Sequence, residues 1–305
     1  MNLHSRLKDH VAAVRHRPER LQGYLYIAPA ILVFFGVSLF PILFGIYLSF
    51  HAGYGISGLE FVGSSNYQLL ASDQTFWNSM ERGVLYAMYS VLTQVVVGVA
   101  IALFLNQSFK FSNVVRSIVL LPYLIPTVAI AMIFRWLFHN RLGLVNYLLL
   151  ESGLVADPVN FFSVGHALHS VVWIGNWKFS IFVVLIVLAR LQSIDPEMYE
   201  LAKINGANPL RRFLDVTYPN IKGVLFLVVL LRSIWQFNKF DMIWLLTSGG
   251  PFNETLTMVV YAYQIAFQQF RGGLGASLTV VMFLMLLATG IVYFTQFKPY
   301  EEVET

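Results

Sequence analysis

The sequence predicts an all-α, polytopic membrane protein with six transmembrane helices, cytoplasmic N- and C-termini, and a cytoplasmic helix-turn-helix hairpin between helices 4 and 5. Three observations carry that expectation. The first is composition: of 305 residues, 12% are charged and 57% hydrophobic, and mean hydropathy is +0.65. An ordinary soluble domain is roughly 25% charged, so the charge is too sparse to clothe a soluble surface of this size. The second is that apolar runs recur at about the 20-residue length that a helix needs to cross a bilayer core. The third is the placement of basic residues between those runs.

The elements follow in order. No Lys, Arg, Asp or Glu lies between Arg20 and Glu60, and the first span falls in that gap. It is too long for a signal-peptide core and no small-residue cleavage site follows it, so it is expected to be an uncleaved anchor. The second span lies between Arg82 and Lys110, and the third between Arg116 and Arg135. The fourth runs from about His166 to Leu191 and contains Lys178. The fifth runs from about Ile221 to Leu246 and contains Arg232, Lys239 and Asp241. The sixth lies between Arg271 and Lys298. The whole chain is expected to form one bundle, its first span peripheral, and GLVNYLLL in the long loop 139–165 reads as a short interfacial helix.

Six spans put both termini on one side. With the N-terminus inside, the inner segments hold Arg6, Lys8, Arg15, Arg17, Arg20, Lys110, Arg116, Lys203, Arg211, Arg212 and Lys298. The outer loops hold Arg82, Arg141 and Arg271. That bias sets the expected sidedness. The organisation is then a cytoplasmic basic segment over 1–22, a six-span domain over 23–298 with its hairpin at 195–219, and a cytoplasmic tail over 299–305.

The hairpin DPEMYELAKINGANPLRRFLDVTYP is charged and twice capped. Asp195 before Pro196 starts a helix, because the carboxylate accepts free N–H groups and proline at the first position needs no partner. Glu197 adds negative charge to the first turn. Leu201, Ile204 and Met198 share a face at three-residue spacing. Asn205-Gly206 is a natural stop. Asn208-Pro209 starts a second helix by the same logic, with Leu210, Phe213 and Leu214 apolar and Arg211, Arg212 and Asp215 turned away. Pro219 is expected to end it. The pattern fits two roles, a helix pair on an anionic lipid surface and a docking knob for a cytoplasmic partner.

The run Glu200-Leu201-Ala202, Gly206, then nine residues to Val216-Thr217-Tyr218-Pro219 resembles the EAA motif of ABC-importer permeases. Leu201, Val216 and Tyr218 depart from the family residues but keep apolar bodies. Trp235-Gln236-Phe237-Asn238-Lys239-Phe240-Asp241 and Leu245-Leu246-Thr247-Ser248-Gly249-Gly250-Pro251 are similar to the carbohydrate-importer permeases of the MalF/UgpA type. Leu191-Gln192-Ser193-Ile194 fits the same group. The resemblance covers about residues 25 to 295.

That resemblance implies the permease subunit of an ATP-driven importer in the plasma (inner) membrane. It implies alternating access and a sugar delivered by an extracytoplasmic binding protein. Further partners would be a second permease subunit and an ATPase subunit dimer that receives the hairpin. ATPase coupling would fall to Glu200, Leu201, Ala202, Gly206, Asn208, Arg211, Phe213 and Pro219. No G-x-x-x-x-G-K-[S/T] phosphate loop occurs, so this chain is expected to need no cofactor, with ATP and Mg on the partner.

Ionisable residues inside spans are costly and face the bundle interior or a cavity. Arg232, Gln236 and Lys239 form one stripe on a regular helix, with Trp235 beside it. By position, the resemblance places substrate contacts at Gln236, Asn238 and Lys239, with Lys178, Phe179 and Phe182 on the fourth span. Competing structural roles stand beside these: Lys178 snorkelling to the outer interface, and Asp241 pairing with a lysine or with the second permease. A basic excess suits an anionic sugar derivative or polyol phosphate without excluding a neutral sugar. His166 and His169 are expected to be interfacial rather than metal ligands. Pro122 and Pro126 are candidates to kink the third span and free carbonyls. An ion-coupled secondary transporter is the rival reading, but Asp241 is the lone carboxylate in the spans and no inverted repeat shows. No catalytic set points to an enzyme, and no basic, aromatic-interleaved stretch points to nucleic acid.

Overall fold

A computed structural model describes residue 24 and residues 26–54 and 57–296. The basic segment 1–22, the tail 299–305 and Lys298 lie outside those residues. Five helices are long and apolar enough to cross a membrane, and six if one sharply bent pair counts as a single span.

Helix α1 (Tyr26–Ser49) buries none of its most apolar stretch, so the first span is peripheral. Strands β1 (His51–Tyr54) and β2 (Ser57–Phe61) then pair antiparallel, His51 opposite Phe61. Helix α2 (Ser65–Ser72) follows. Its Asn66 donates to the Ser49 and His51 carbonyls, 3.0 Å each, and so ties the end of α1 to β1.

Helix α3 (Gln74–Leu105) is the axis of the bundle. Ser79, Gly83, Ala87, Ser90, Gln94, Gly98 and Ala102 are all buried along it at three- and four-residue spacing. Such a small-residue stripe lets backbones approach closely where lipid supplies no hydrophobic drive. Its partner is α7 (Ala167–Gln192). A Cβ on Gly98 would stand 2.5 Å from Val183 Cβ and 3.2 Å from the Ser180 carbonyl oxygen.

The third apolar run is two helices, α4 (Ser112–Leu124) and α5 (Thr127–Leu137), bent by 95°. The break is Ile125-Pro126, both extended in ψ. Proline there removes a donor and pushes the residue before it out of the helical region. Pro122 is tolerated inside α4, so the bend belongs to Pro126. In the loop beyond, α6 (Leu144–Glu151) is the expected short helix. Buried Asn146 staples it, donating to the Val159 carbonyl and accepting the Val159 N–H, both at 2.9 Å.

Helix α8 (Pro196–Ile204) is the first arm of the hairpin. The second arm corrects the sequence reading. Pro219 does not end it, and the chain runs on as one helix, α9 (Pro209–Phe237). A widened stretch, Phe213–Thr217, precedes the proline, and the Tyr218 N–H bonds to the Phe213 carbonyl five residues back. That extra residue per turn makes room for a ring that would clash in a regular helix. Pro41 in α1 follows a similar widened stretch, Phe34–Leu39.

The fifth span is also broken where a continuous helix was expected. Helix α9 stops at Phe237 and α10 (Asp241–Thr247) starts after three residues. Helices α11 (Met258–Tyr263) and α12 (Gly272–Gln296) complete the described residues. The first turn of α12 presses on β1: a Cβ on Gly273 would lie 1.7 Å from the His51 carbonyl oxygen.

Candidate functional site

Two places concentrate unusual residues: the hairpin at one end of the bundle, and a charged aromatic cluster between α7 and the α9–α10 break.

Hairpin geometry follows from local sequence. Asp195 accepts the Glu197 N–H at 2.9 Å. At the exit of α8, the Ala207 N–H bonds to the Ala202 carbonyl and the Gly206 N–H to the Lys203 carbonyl, both at 2.9 Å. This doubly bonded left-handed exit uses glycine because φ at Gly206 is +77°. Asn208 restarts the chain by accepting the Arg211 N–H at 2.8 Å. The two arms touch through Tyr199 and Thr217, whose hydroxyls are 3.1 Å apart. At the root, Arg190 donates to the Asn220 carbonyl at 2.9 Å.

One side of the hairpin packs on the bundle. Tyr199 and Ala202 pack against the buried cluster that includes Ile194, Val216 and Ile221. The other side covers nothing. Met198, Leu201, Ile204, Leu210 and Leu214 are exposed, Ile204 at 82%. Glu200, Gly206, Asn208, Arg211 and Pro219 are exposed as well, while Phe213 is half-buried.

The second cluster gathers on Phe179 of α7. Lys239 Nζ stands 3.9 Å from the ring centroid, the Arg232 guanidinium carbon 5.5 Å and Lys178 Nζ 5.8 Å. Phe182 and Trp235 meet edge-to-face at 4.9 Å. Arg232 lies 6.0 Å from the first ring and 5.7 Å from the second. Cations over aromatic faces gain most when desolvated. Gln236 is buried, and Asn238 is exposed and bonds back to the Ile234 carbonyl.

Three details differ from the sequence reading. Lys239 is not on the Arg232–Gln236 helical stripe, because α9 has ended. Two residues apart, Lys239 and Asp241 would point different ways on a regular helix, but the break lets them pair at 2.8 Å, which is the lysine pairing considered for Asp241. Lys178 does not snorkel: it is buried, and its ammonium donates to the Ile125 carbonyl at the bend of the third run. That carbonyl is one that the Pro126 break frees from helical bonding.

Sequence reasoning missed Gln94. It is fully buried on α3, and its Oε1 accepts from both Arg232 Nε (2.7 Å) and Arg232 Nη2. An amide inside an apolar run on a small-residue stripe was the available signal. Among the described residues no group of three His, Cys, Asp or Glu is placed to hold a metal. His169 lies edge-on to Tyr89, and His166 sits 3.3 Å from Ser163 Oγ.

Comparison with known proteins settles the family. Residues 94–297 match the inner membrane component of binding-protein-dependent transport systems. The chain belongs to this family. Its relatives include the trehalose/maltose transport system permease MalF of Thermococcus litoralis, 33% identical over 96% of both chains. The sulfoquinovosyl glycerol transport permease SmoG of Agrobacterium fabrum is 32% identical over 90% of each. The inner membrane ABC transporter permease YcjO of Escherichia coli is 34% identical over 87% of this chain and 90% of its own. A bacterial ABC transporter involved in import of the acidic polysaccharide alginate has a chain of the same fold, with TM-score 0.82 and 20% identity. The match covers 93% of this chain and 98% of that one. The protein is therefore a multi-pass inner-membrane permease of the sugar ABC transporter group, and the resemblance read in its motifs holds.

Proposed function

We propose that this permease is one of two membrane subunits of an ATP-driven sugar importer, and that the hairpin 195–219 receives the motion of a partner ATPase. The observation that carries this reading is the bare apolar face of Met198, Leu201, Ile204, Leu210 and Leu214 on a rigidly capped support. A lipid-facing pair would need no such stiff turn, whereas a coupling element must transmit force without bending. Alternating access follows. ATP closes the ATPase dimer, the hairpins move together, and α9, continuous with the second arm, carries the displacement to the α9–α10 break. Glu200, Ala202, Gly206, Asn208, Arg211, Phe213 and Pro219 shape and orient the knob. The sugar path runs beside Arg232, Trp235, Gln236, Asn238 and Lys239 with Lys178, Phe179 and Phe182 opposite. An extracytoplasmic binding protein delivers the sugar, and the second permease covers the exposed side of this cluster. The bent pair α4–α5 counts as the third of six spans, which leaves both termini on the hairpin side.

Co-purification tests the reading. The wild-type permease, expressed with its genomic neighbours, brings down an ATPase and supports ATP-driven uptake. Ile204→Glu and Leu210→Glu, which put charge on the bare face, release the ATPase and abolish uptake while the permease stays in the membrane. Full uptake by both variants would overturn the coupling role.

A further inference from the structure

The charge around Phe179 does not balance. Three cationic heads approach the ring, and among the described residues Asp241 is the one carboxylate that accompanies them, paired with Lys239. No other acidic residue occurs between Asp215 and Glu254, nor anywhere between Asp157 and Asp195. Lys178 is held by a backbone carbonyl. Arg232 is 3% exposed, and its hydrogen bonds go to the neutral Gln94 oxygen. A buried cation without a counterion is expensive, and such residues persist at membrane depth where function needs them.

Two amide donors next to Arg232 are also unpaired. Gln94 Nε2 and Gln236 Nε2 are buried and make no bond. Both flank Arg232, the first through its own amide oxygen and the second one helical turn along α9. The place therefore lacks negative charge, and its unpaired oxygens, Tyr86 Oη, Ser90 Oγ and Asn176 Oδ1, are all neutral. A planar guanidinium with unpaired amide N–H groups on two neighbouring residues suits an oxyanion. Phe182 and Trp235 stand over Arg232 and close it off in this conformation. Trp235 is half-exposed, so its movement would open the guanidinium to the path.

Resting on the permease reading, we propose that the translocated substrate is an acidic saccharide, carrying a carboxylate, phosphate or sulfonate, and that its anionic group becomes the counterion of Arg232. A carboxylate of the second permease is the competing source of that charge, and stability separates the two.

The complete importer, with both permeases, the ATPase and its cognate binding protein, would be placed in proteoliposomes. Uptake would be measured with D-glucuronate, D-glucose 6-phosphate, a 6-sulfonated hexose, D-glucose and maltose. Mass spectrometry would identify the saccharide that the binding protein carries from cells. The expected result is an acidic ligand and uptake confined to acidic probes. Arg232→Gln lowers uptake kcat/KM at least about tenfold, as loss of a buried charge partner does. Arg232→Lys recovers part of it, and thermal stability of the Arg232→Gln assembly stays equal or rises. A neutral ligand, or an Arg232→Gln permease pair that falls apart, overturns the proposal, the latter by showing that the counterion is the partner's. Uptake of neutral sugars alone would do so while leaving the permease reading intact. A wild-type assembly that moves no saccharide would defeat both.

Discussion

Lys178 on α7 donates its ammonium hydrogen bond to the Ile125 carbonyl, at the 95° bend between α4 and α5. The side chain answers a backbone group that Pro126 leaves without a helical donor. Lys178→Met should therefore leave a buried carbonyl unpaired and lower stability by about 1–3 kcal/mol. Pro126→Ala, which lets that carbonyl find a backbone N–H, should shrink the penalty. Thermal unfolding of the two single variants and the double variant measures the coupling, and additive effects would disconnect Lys178 from the bend.

Gly98 sets how closely α3 and α7 approach. Gly98→Ala would push its Cβ onto Val183 and the Ser180 carbonyl, at an expected cost of about 1–3 kcal/mol for overpacking. Val183→Ala in the same chain removes the side chain that Gly98→Ala meets and should recover part of the loss. Unfolding temperatures of the purified variants check both statements.

Gly206 has open space where a Cβ would be, so its constraint is conformational: φ is +77°. Gly206→Ala should cost about 1–2 kcal/mol locally. The hairpin bears that strain and the spans do not. ATP-driven uptake should drop several-fold while the unfolding temperature of the permease barely moves. A parallel fall in both would make Gly206 a structural residue only.

Tyr261 on α11 donates to the carboxylate of Asp73, which also caps α3 by accepting the Thr75 N–H at 2.8 Å. Burial first, and then the bond to Asp73, raise the Tyr261 phenol above its ordinary value of 10.0. The sign is direct. A raised folded-state value stabilises the fold fully below about pH 10, and that stability is lost as pH climbs through the folded value. Unfolding temperature should thus fall above about pH 10, and Tyr261→Phe should lower the plateau and flatten that decline.

Much of this was legible in the sequence because it is local. Asp195-Pro196, Asn205-Gly206 and Asn208-Pro209 act within a few residues, and the structure makes each expected bond. Span positions were legible because bilayer thickness imposes a length. Pro122 and Pro126 were both candidates for a bend, and the structure puts it at Pro126. The break after Phe237 carried no such mark: Asn238, Lys239 and Phe240 hold neither glycine nor proline, and the pairing of Lys239 with Asp241 depends on that break. Pro219 misled for the opposite reason. A widened turn absorbed it, and nothing in FLDVT signals that widening. Gln94 escaped notice because its role depends on Arg232, distant in sequence and brought beside it by helix packing.

The most direct measurement concerns the hairpin and uses the absence of cysteine from the chain. A single cysteine at Ile204, on the bare face, would be cross-linked in membranes to an ATPase subunit carrying single cysteines around its surface cleft. Coupling through the hairpin requires an efficient cross-link there that changes with ATP, and none from a cysteine at Leu142, in the loop at the other end of the bundle. Absence of any cross-link at Ile204, with uptake intact, would contradict it.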